Sequence, residues 1–192
     1  MCTDAAESNA WQTIIPCWIA NMSPFVHEAH RTPRFKDFFV TVEQIERTIQ
    51  ESWAEVVQHV KDEYLSDAQR WPWIVGFSGG KDSTVVAHAV FEALATIPPS
   101  QRTRPVHIVS NDTMVESPLV MAHLDEVSSQ IQAAVDNLSL PITVARTRPD
   151  LDKTFWVLLI GKGYPSPNSQ MRWCTDRLKI QPTSTYIRDN VS

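Results

Sequence analysis

The chain is poor in cysteine and glycine, with three Cys and five Gly among 192 residues. Cys2, Cys17 and Cys174 are odd in number, far apart and free of any C-x-x-C pair, which argues against a disulfide framework. A reducing cytoplasm is the compartment to expect. No Lys or Arg precedes Arg31, and the apolar run from Ile14 to Ala20 is broken by Pro16. Neither a signal peptide nor a membrane span is therefore expected. There is no excess of positive charge: 17 Lys and Arg stand against 22 Asp and Glu, for a net charge of −5. Bulk composition gives no reason to expect a nucleic-acid binder.

What is present reads as globular. Hydrophobic residues make up 43% of the chain and prolines number 13, so one domain, or a domain with an appendage, can bury a core. Charge is uneven: residues 1–70 carry 11 acids against 6 Lys and Arg, whereas residues 146–192 carry 8 Lys and Arg against 4 acids. That basic stretch suits either a polyanion or a solvated surface. Residues 1–40 read as an irregular arm, punctuated by Pro16, Pro24 and Pro33. Its aromatics (Trp11, Trp18, Phe25, Phe35, Phe38, Phe39) predict that it packs on the domain or on a partner.

From Thr41, with Gln44 forming a capping-box pattern, a helix is predicted. Val42, Ile45, Ile49, Trp53, Val56, Val57, Val60 and Tyr64 make one apolar stripe, expected to face the core. Strands are predicted at 73–77, 106–109 and 142–145. Helices are predicted from the glycine loop to Pro98, from Ser117-Pro118 to about Leu138, over 151–161 and over 182–189. The alternation of strand and helix is the pattern of a parallel α/β sheet flanked by helices.

The stretch "WIVGFSGGKDSTVVAHAV" (73–90) carries the chemistry. A strand opening into a helix N-terminus offers free N–H groups and a positive dipole to an anion. Gly79 and Gly80 let the backbone come close, Ser78 and Ser83 add hydroxyls, and Lys81 adds a charge. A Walker A loop would need Gly at 75 and Ser or Thr at 82, where the chain has Val75 and Asp82. The dinucleotide G-x-G-x-x-G pattern is also absent.

Ser78, Gly79, Gly80, Asp82 and Ser83 match S-G-G-x-D-S, and the chain here resembles the PP-loop ATP pyrophosphatase family. "GFSGGKDST" (76–84) is most similar to its adenosine phosphosulfate reductase-like branch. "SNDTMVESP" (110–118) and "MRWCTDRLKIQP" (171–182, with Cys174, Lys179 and Pro182 as C-x-x-x-x-K-x-x-P) extend the likeness, with "WVLLIGKGYPSP" between them. Together they look most like the DndC/SspD group, the ATP pyrophosphatases of DNA phosphorothioation. The resemblance covers about residues 41–188.

The resemblance implies an adenine nucleotide alpha hydrolase-like (HUP, Rossmann-like) fold and an ATP-splitting reaction at the α-phosphorus. A DNA backbone phosphate would be activated for sulfur insertion, with a cysteine desulfurase and other subunits as partners. Nucleotide-binding residues would be Phe77, Ser78, Gly79, Gly80, Lys81, Asp82, Ser83, Ser110 and Asp112, with Lys81, Ser78 and Asp82 catalytic. Asp82 could hold Mg²⁺ or simply cap the helix. Asp112 and Glu116 could touch ribose, base or metal, or be ordinary turn residues.

Arg172, Arg177 and Lys179 surround Cys174 in sequence, as substrate or cluster candidates. By resemblance Cys174 would be an iron–sulfur ligand, but such a cluster takes four thiolates and the chain has three cysteines. His88, His107 and His123 read as structural. The family's sheet has five strands in the order 3-2-1-4-5, and three are legible here. A naturally short member and a piece of a longer protein both fit, and an unpaired sheet edge would call for the arm or a second copy. Rival readings are a sulfonucleotide reductase, disfavoured because no cysteine follows Cys174, and a non-catalytic ATP-binding scaffold.

Overall fold

The computed structural model describes residues 42–66 and 71–191. The predicted arm at 1–40, the Thr41 cap, Cys2 and Cys17 lie outside the described residues. The chain divides into two compact units, Met1–Glu51 and Ser52–Ser192. In the first, the described residues are the opening turns of helix α1 (Val42–Leu65), where Thr48 Oγ1 donates to the Gln44 carbonyl at 2.9 Å.

The second unit is an α/β domain on a three-stranded, wholly parallel sheet, consistent with a Rossmann-like fold. Its strands β1 (Trp73–Gly76), β2 (Val106–Asn111) and β3 (Ile142–Thr147) lie in the order β1-β2-β3. Trp73 pairs with Val106 and Val106 with Ile142. The connections are α2 (Lys81–Thr96) and α3 (Pro118–Asn137), and the right-handed rule for parallel crossovers assigns both to one face. A last helix, α4 (Gln181–Asn190), meets the opposite face. Side chains of a strand alternate between faces, and His107 and Asn111 of β2 hydrogen-bond Tyr186 and Thr183 of α4.

β2 is buried almost throughout because it is paired on both sides and covered above and below. Val106 and Ile108 are at most 1% exposed, and Phe91, Ala93, Leu94 and Ile97 close the core from α2 and its end. Fully burying such side chains stabilises by about 1.5–3 kcal/mol each. Among the described residues no helix is long and apolar enough to cross a membrane.

Two arginines staple the helix ends. Arg102 donates to the carbonyls of Ala95, Ile97 and Leu138, so one guanidinium serves the C-termini of both α2 and α3. Arg104 is buried, donates to the carbonyls of Glu63 and Ser66, and lies over the rings of Tyr64 and Trp73. Tyr64 Oη completes this corner by donating to the Arg104 carbonyl at 2.6 Å and accepting from its N–H at 3.0 Å.

The structure corrects three expectations. Within the second unit the α1 stripe faces the core only in part: Tyr64 is buried and Trp53, Val57 and Val60 half-buried, but Val56 is exposed. An apolar stripe is buried only where something lies opposite it. Tyr64 meets Trp73 edge-on, and Trp53 Nε1 donates to Glu92. The predicted helix over 151–161 is a 3₁₀ turn (Leu151–Lys153) and a π-helical turn (Val157–Gly161). The last helical run begins at Trp173, not at 182, because a π-helical turn, Asp176–Ile180, carries the chain up to Pro182. Proline cannot donate, and its ring collides with the carbonyl four residues back. The wider turn, closed by Gln181 N–H on the Asp176 carbonyl, accommodates it.

Tyr64→Phe removes the hydroxyl that donates to the Arg104 carbonyl and accepts from its N–H in this buried corner. Chemical unfolding is expected to show a loss of about 1–3 kcal/mol, with the slope of the transition unchanged.

Candidate functional site

The last rung between β1 and β2 is Phe77 N–H on the Val109 carbonyl, 2.9 Å. Beyond it the chain leaves the sheet through Ser78-Gly79-Gly80 and enters α2 at Lys81. Gly79 takes φ +73°, a left-handed conformation that glycine adopts freely. A Cβ there would lie 3.3 Å from Leu124 Cδ1 of α3, so the loop is held against that helix as well as turned.

The serines brace the turn from inside. Ser83 Oγ accepts from Ser78 N–H (3.2 Å), lies 3.0 Å from Ser78 Oγ and 3.0 Å from the Gly80 carbonyl. Gly80, the residue before the helix, receives no side-chain cap. The first intrahelical bond is Thr84 N–H on the Gly80 carbonyl, so the N–H groups of Lys81, Asp82 and Ser83 precede it. Lys81 and Asp82 are exposed in this first turn. The arrangement offers donors and a positive dipole end to an anion.

Above the ends of β1 and β2 lies a cavity of about 140 Å³. The loop contributes Phe77, Ser78 and Ser83, the segment after β2 contributes Asn111 and Glu116, and Lys179 closes it from the π-helical turn. Val120, Met121 and Leu124 of α3 form an apolar wall. Sites that enclose drug-sized ligands usually span about 300–1,000 Å³. This cavity is therefore smaller than such a ligand and has room for only part of one.

The segment 112–117 is held by its own side chains. Asp112 is buried; Oδ1 accepts from Met114 N–H (3.0 Å) and Oδ2 from Arg148 Nε (2.8 Å). Thr113 Oγ1 donates to Glu116 Oε1 at 2.6 Å, and Ser117 caps α3 by accepting from Val120 N–H. Asn111 Nδ2 donates to Thr147 Oγ1 (2.6 Å) and Thr183 Oγ1 (2.7 Å), tying β3 and α4 to the end of β2. That tie, with His107 Nδ1 2.9 Å from Tyr186 Oη, anchors the helical run that carries Lys179.

Of the residues predicted from sequence, Phe77, Ser78, Ser83, Glu116 and Lys179 meet at the cavity, with Gly79, Gly80, Lys81 and Asp82 continuous with the first three in the loop. Ser110 is buried and its Oγ donates to the Ala145 carbonyl; Asp112 is engaged as described, and neither lines the cavity. The basic residues of this segment are divided between two cavities, with Lys179 in the one above. Arg177 lines a separate cleft with Arg148 and Lys153, Arg172 is exposed, and Cys174 is half-buried. Asn111 and the apolar wall were missed. Val120, Met121 and Leu124 share a helix face by their spacing, a usable signal, whereas nothing local marks Asn111.

Among the described residues no three His, Cys, Asp or Glu side chains form a metal-holding group. Mg²⁺ asks less of the protein, one or two carboxylates with phosphates completing the shell, and Asp82 beside the loop is such a carboxylate. This chain alone does not supply the four thiolates of an iron–sulfur cluster: it has three cysteines, of which Cys174 is the one among the described residues. Comparison with protein-family models and with curated proteins finds no match for this chain.

Burial holds the His107 pKa below its ordinary 6.5, and that of His88 likewise, the latter opposed by Glu92. A depressed folded value means that the unfolded chain binds more protons. Stability is then full above about pH 6.5 and falls as the pH drops through the folded values. Unfolding followed from pH 8 to pH 5 should show this decline, with a shallower one in His107→Gln. Gly79→Ala is expected to cost about 1–2 kcal/mol from its left-handed φ alone, read as a lower melting temperature.

Proposed function

We propose that the chain is a PP-loop ATP pyrophosphatase that binds ATP on residues 78–83 and splits it between the α- and β-phosphates. The observation that carries the reading is the braced Ser78–Ser83 turn. It opens into a helix N-terminus at the C-terminal edge of a parallel sheet, with Lys179 closing the same cavity. Open α/β sheets place their ligands at that edge.

The backbone N–H groups of the first turn of α2 and the Ser78 hydroxyl hold the β- and γ-phosphates. Lys81, on a flexible stem, follows the negative charge that builds on the departing pyrophosphate. An acceptor oxygen attacks the α-phosphorus, the bond to the bridging oxygen of the β-phosphate breaks, and pyrophosphate leaves. Mg²⁺, held with the phosphates by Asp82, would add charge neutralisation there.

The acceptor in this reading is a DNA backbone phosphate, activated by AMP for sulfur insertion in phosphorothioate modification. Sulfur comes through partner subunits that include a cysteine desulfurase. The support for this finer assignment is the likeness of segments 110–118 and 171–182 to that group of pyrophosphatases.

Incubation with ATP and Mg²⁺, followed by chromatographic resolution of the products, tests the chemistry. AMP and pyrophosphate are expected, with turnover lower by about 10²–10³-fold in Lys81→Ala and reduced in Ser78→Ala. ADP and orthophosphate, or failure to bind nucleotide at all, overturns the reading. ATP that binds tightly but stays intact, with DNA present as well as absent, would make the chain a partner-dependent or scaffolding subunit instead.

A further inference from the structure

Glu116 Oε2 is buried and has no hydrogen-bond partner, while Oε1 of the same carboxylate is taken by Thr113. Glu116 also lines the cavity that Ser78, Ser83 and Lys179 share. A carboxylate only accepts hydrogen bonds, and a buried acceptor left without a donor is unfavourable. The described protein supplies no donor to this oxygen, so the donor must come from what fills the cavity.

The wall of the cavity is therefore chemically divided. The loop and Lys179 donate, which suits phosphate oxygens. Glu116 accepts, which suits a neutral group bearing hydrogens, and it would repel a phosphate. Between them Val120, Met121 and Leu124 offer apolar surface. A ligand complementary to all three has an anionic end, an apolar face and hydroxyl or amino donors beside it. Inorganic phosphates lack the last two.

We propose that Glu116 accepts from the ribose hydroxyls of the bound nucleotide and makes the site selective for ribonucleotides. The hydroxyls are preferred to a base amino group by position. Glu116 belongs to the segment that follows β2, next to the phosphate loop after β1, and an acidic residue beside a dinucleotide-binding loop commonly meets the ribose. Thr113, by holding Oε1, fixes the carboxylate so that Oε2 is the oxygen left to read the ligand. This assignment rests on the phosphate-loop reading of residues 78–83.

The test compares Mg²⁺-dependent binding of ATP, 2′-deoxyATP, 3′-deoxyATP, inosine triphosphate and inorganic tripolyphosphate to the full chain and to Glu116→Gln and Glu116→Ala. The native chain should prefer ATP to at least one deoxy analogue by about 10- to 100-fold, the worth of a hydrogen bond to a charged group. Both variants should lose that preference while still binding tripolyphosphate at least as tightly as the native chain, which also shows that they are folded. If tripolyphosphate does not bind the native chain, the phosphate-loop reading fails and this inference fails with it. If tripolyphosphate binds but the variants discriminate between ribose and deoxyribose as before, the Glu116 assignment alone is overturned. A loss of discrimination between ATP and inosine triphosphate, with the ribose preference intact, would assign the oxygen to the base and overturn it equally.

Discussion

Phase and position of the site are set by the parallel pairing of β1 with β2, closed by Phe77 N–H on the Val109 carbonyl. Because strand side chains alternate, a one-residue slip would exchange the faces of a whole strand. With the register as observed, Val75 and Phe77 are both buried while Gly76, between them, is exposed at the edge of the cavity. The turn through Gly79 then begins at a fixed height above the sheet, against Leu124 of α3. β3 repeats the logic through Asn111, whose pairing with Thr147 ends the ladder where the segment carrying Glu116 departs.

The domain distributes its polar groups so that few are left over. The carbonyls at the ends of α1, α2 and α3 receive Arg102 and Arg104, two residues of one connection leading into β2. Buried Asp112 meets Arg148 and a backbone N–H, and buried His107 meets Tyr186. Against this background the unpartnered oxygen of Glu116 is unusual, and its place at the cavity makes it a statement about ligand chemistry. The other such atom among the described residues, Ser128 Oγ on α3, lines no part of the cavity.

Lys179 shows how far from the loop a site residue can originate. It is about a hundred residues later in the chain and is delivered by a π-helical turn that Pro182 favours and that α4 anchors on β2 through Tyr186 and Thr183. Its neighbour Arg177 lines a different cleft, with Arg148 and Lys153. A basic run in sequence thus became one cavity residue and a separate cleft, because helical periodicity spreads adjacent side chains around an axis.

The sequence alone determined the three strands, the helices α2 and α3 with Ser117 as cap, and the loop at 78–83. Each of these is written in local terms: β-branched runs between prolines, apolar spacing, and glycines where a strand meets a helix. Tertiary structure decided what depends on partners distant in sequence. It decided that, within the second unit, the α1 stripe is fully buried at Tyr64, which meets Arg104 and Trp73. It committed Ser110 and Asp112 to the protein itself, and it brought Asn111, Glu116 and Lys179 to the loop. The reason is physical. Backbone preference and amphipathic period act over a few residues, whereas the convergence of side chains on a cavity follows from strand register and helix packing, which no single segment encodes.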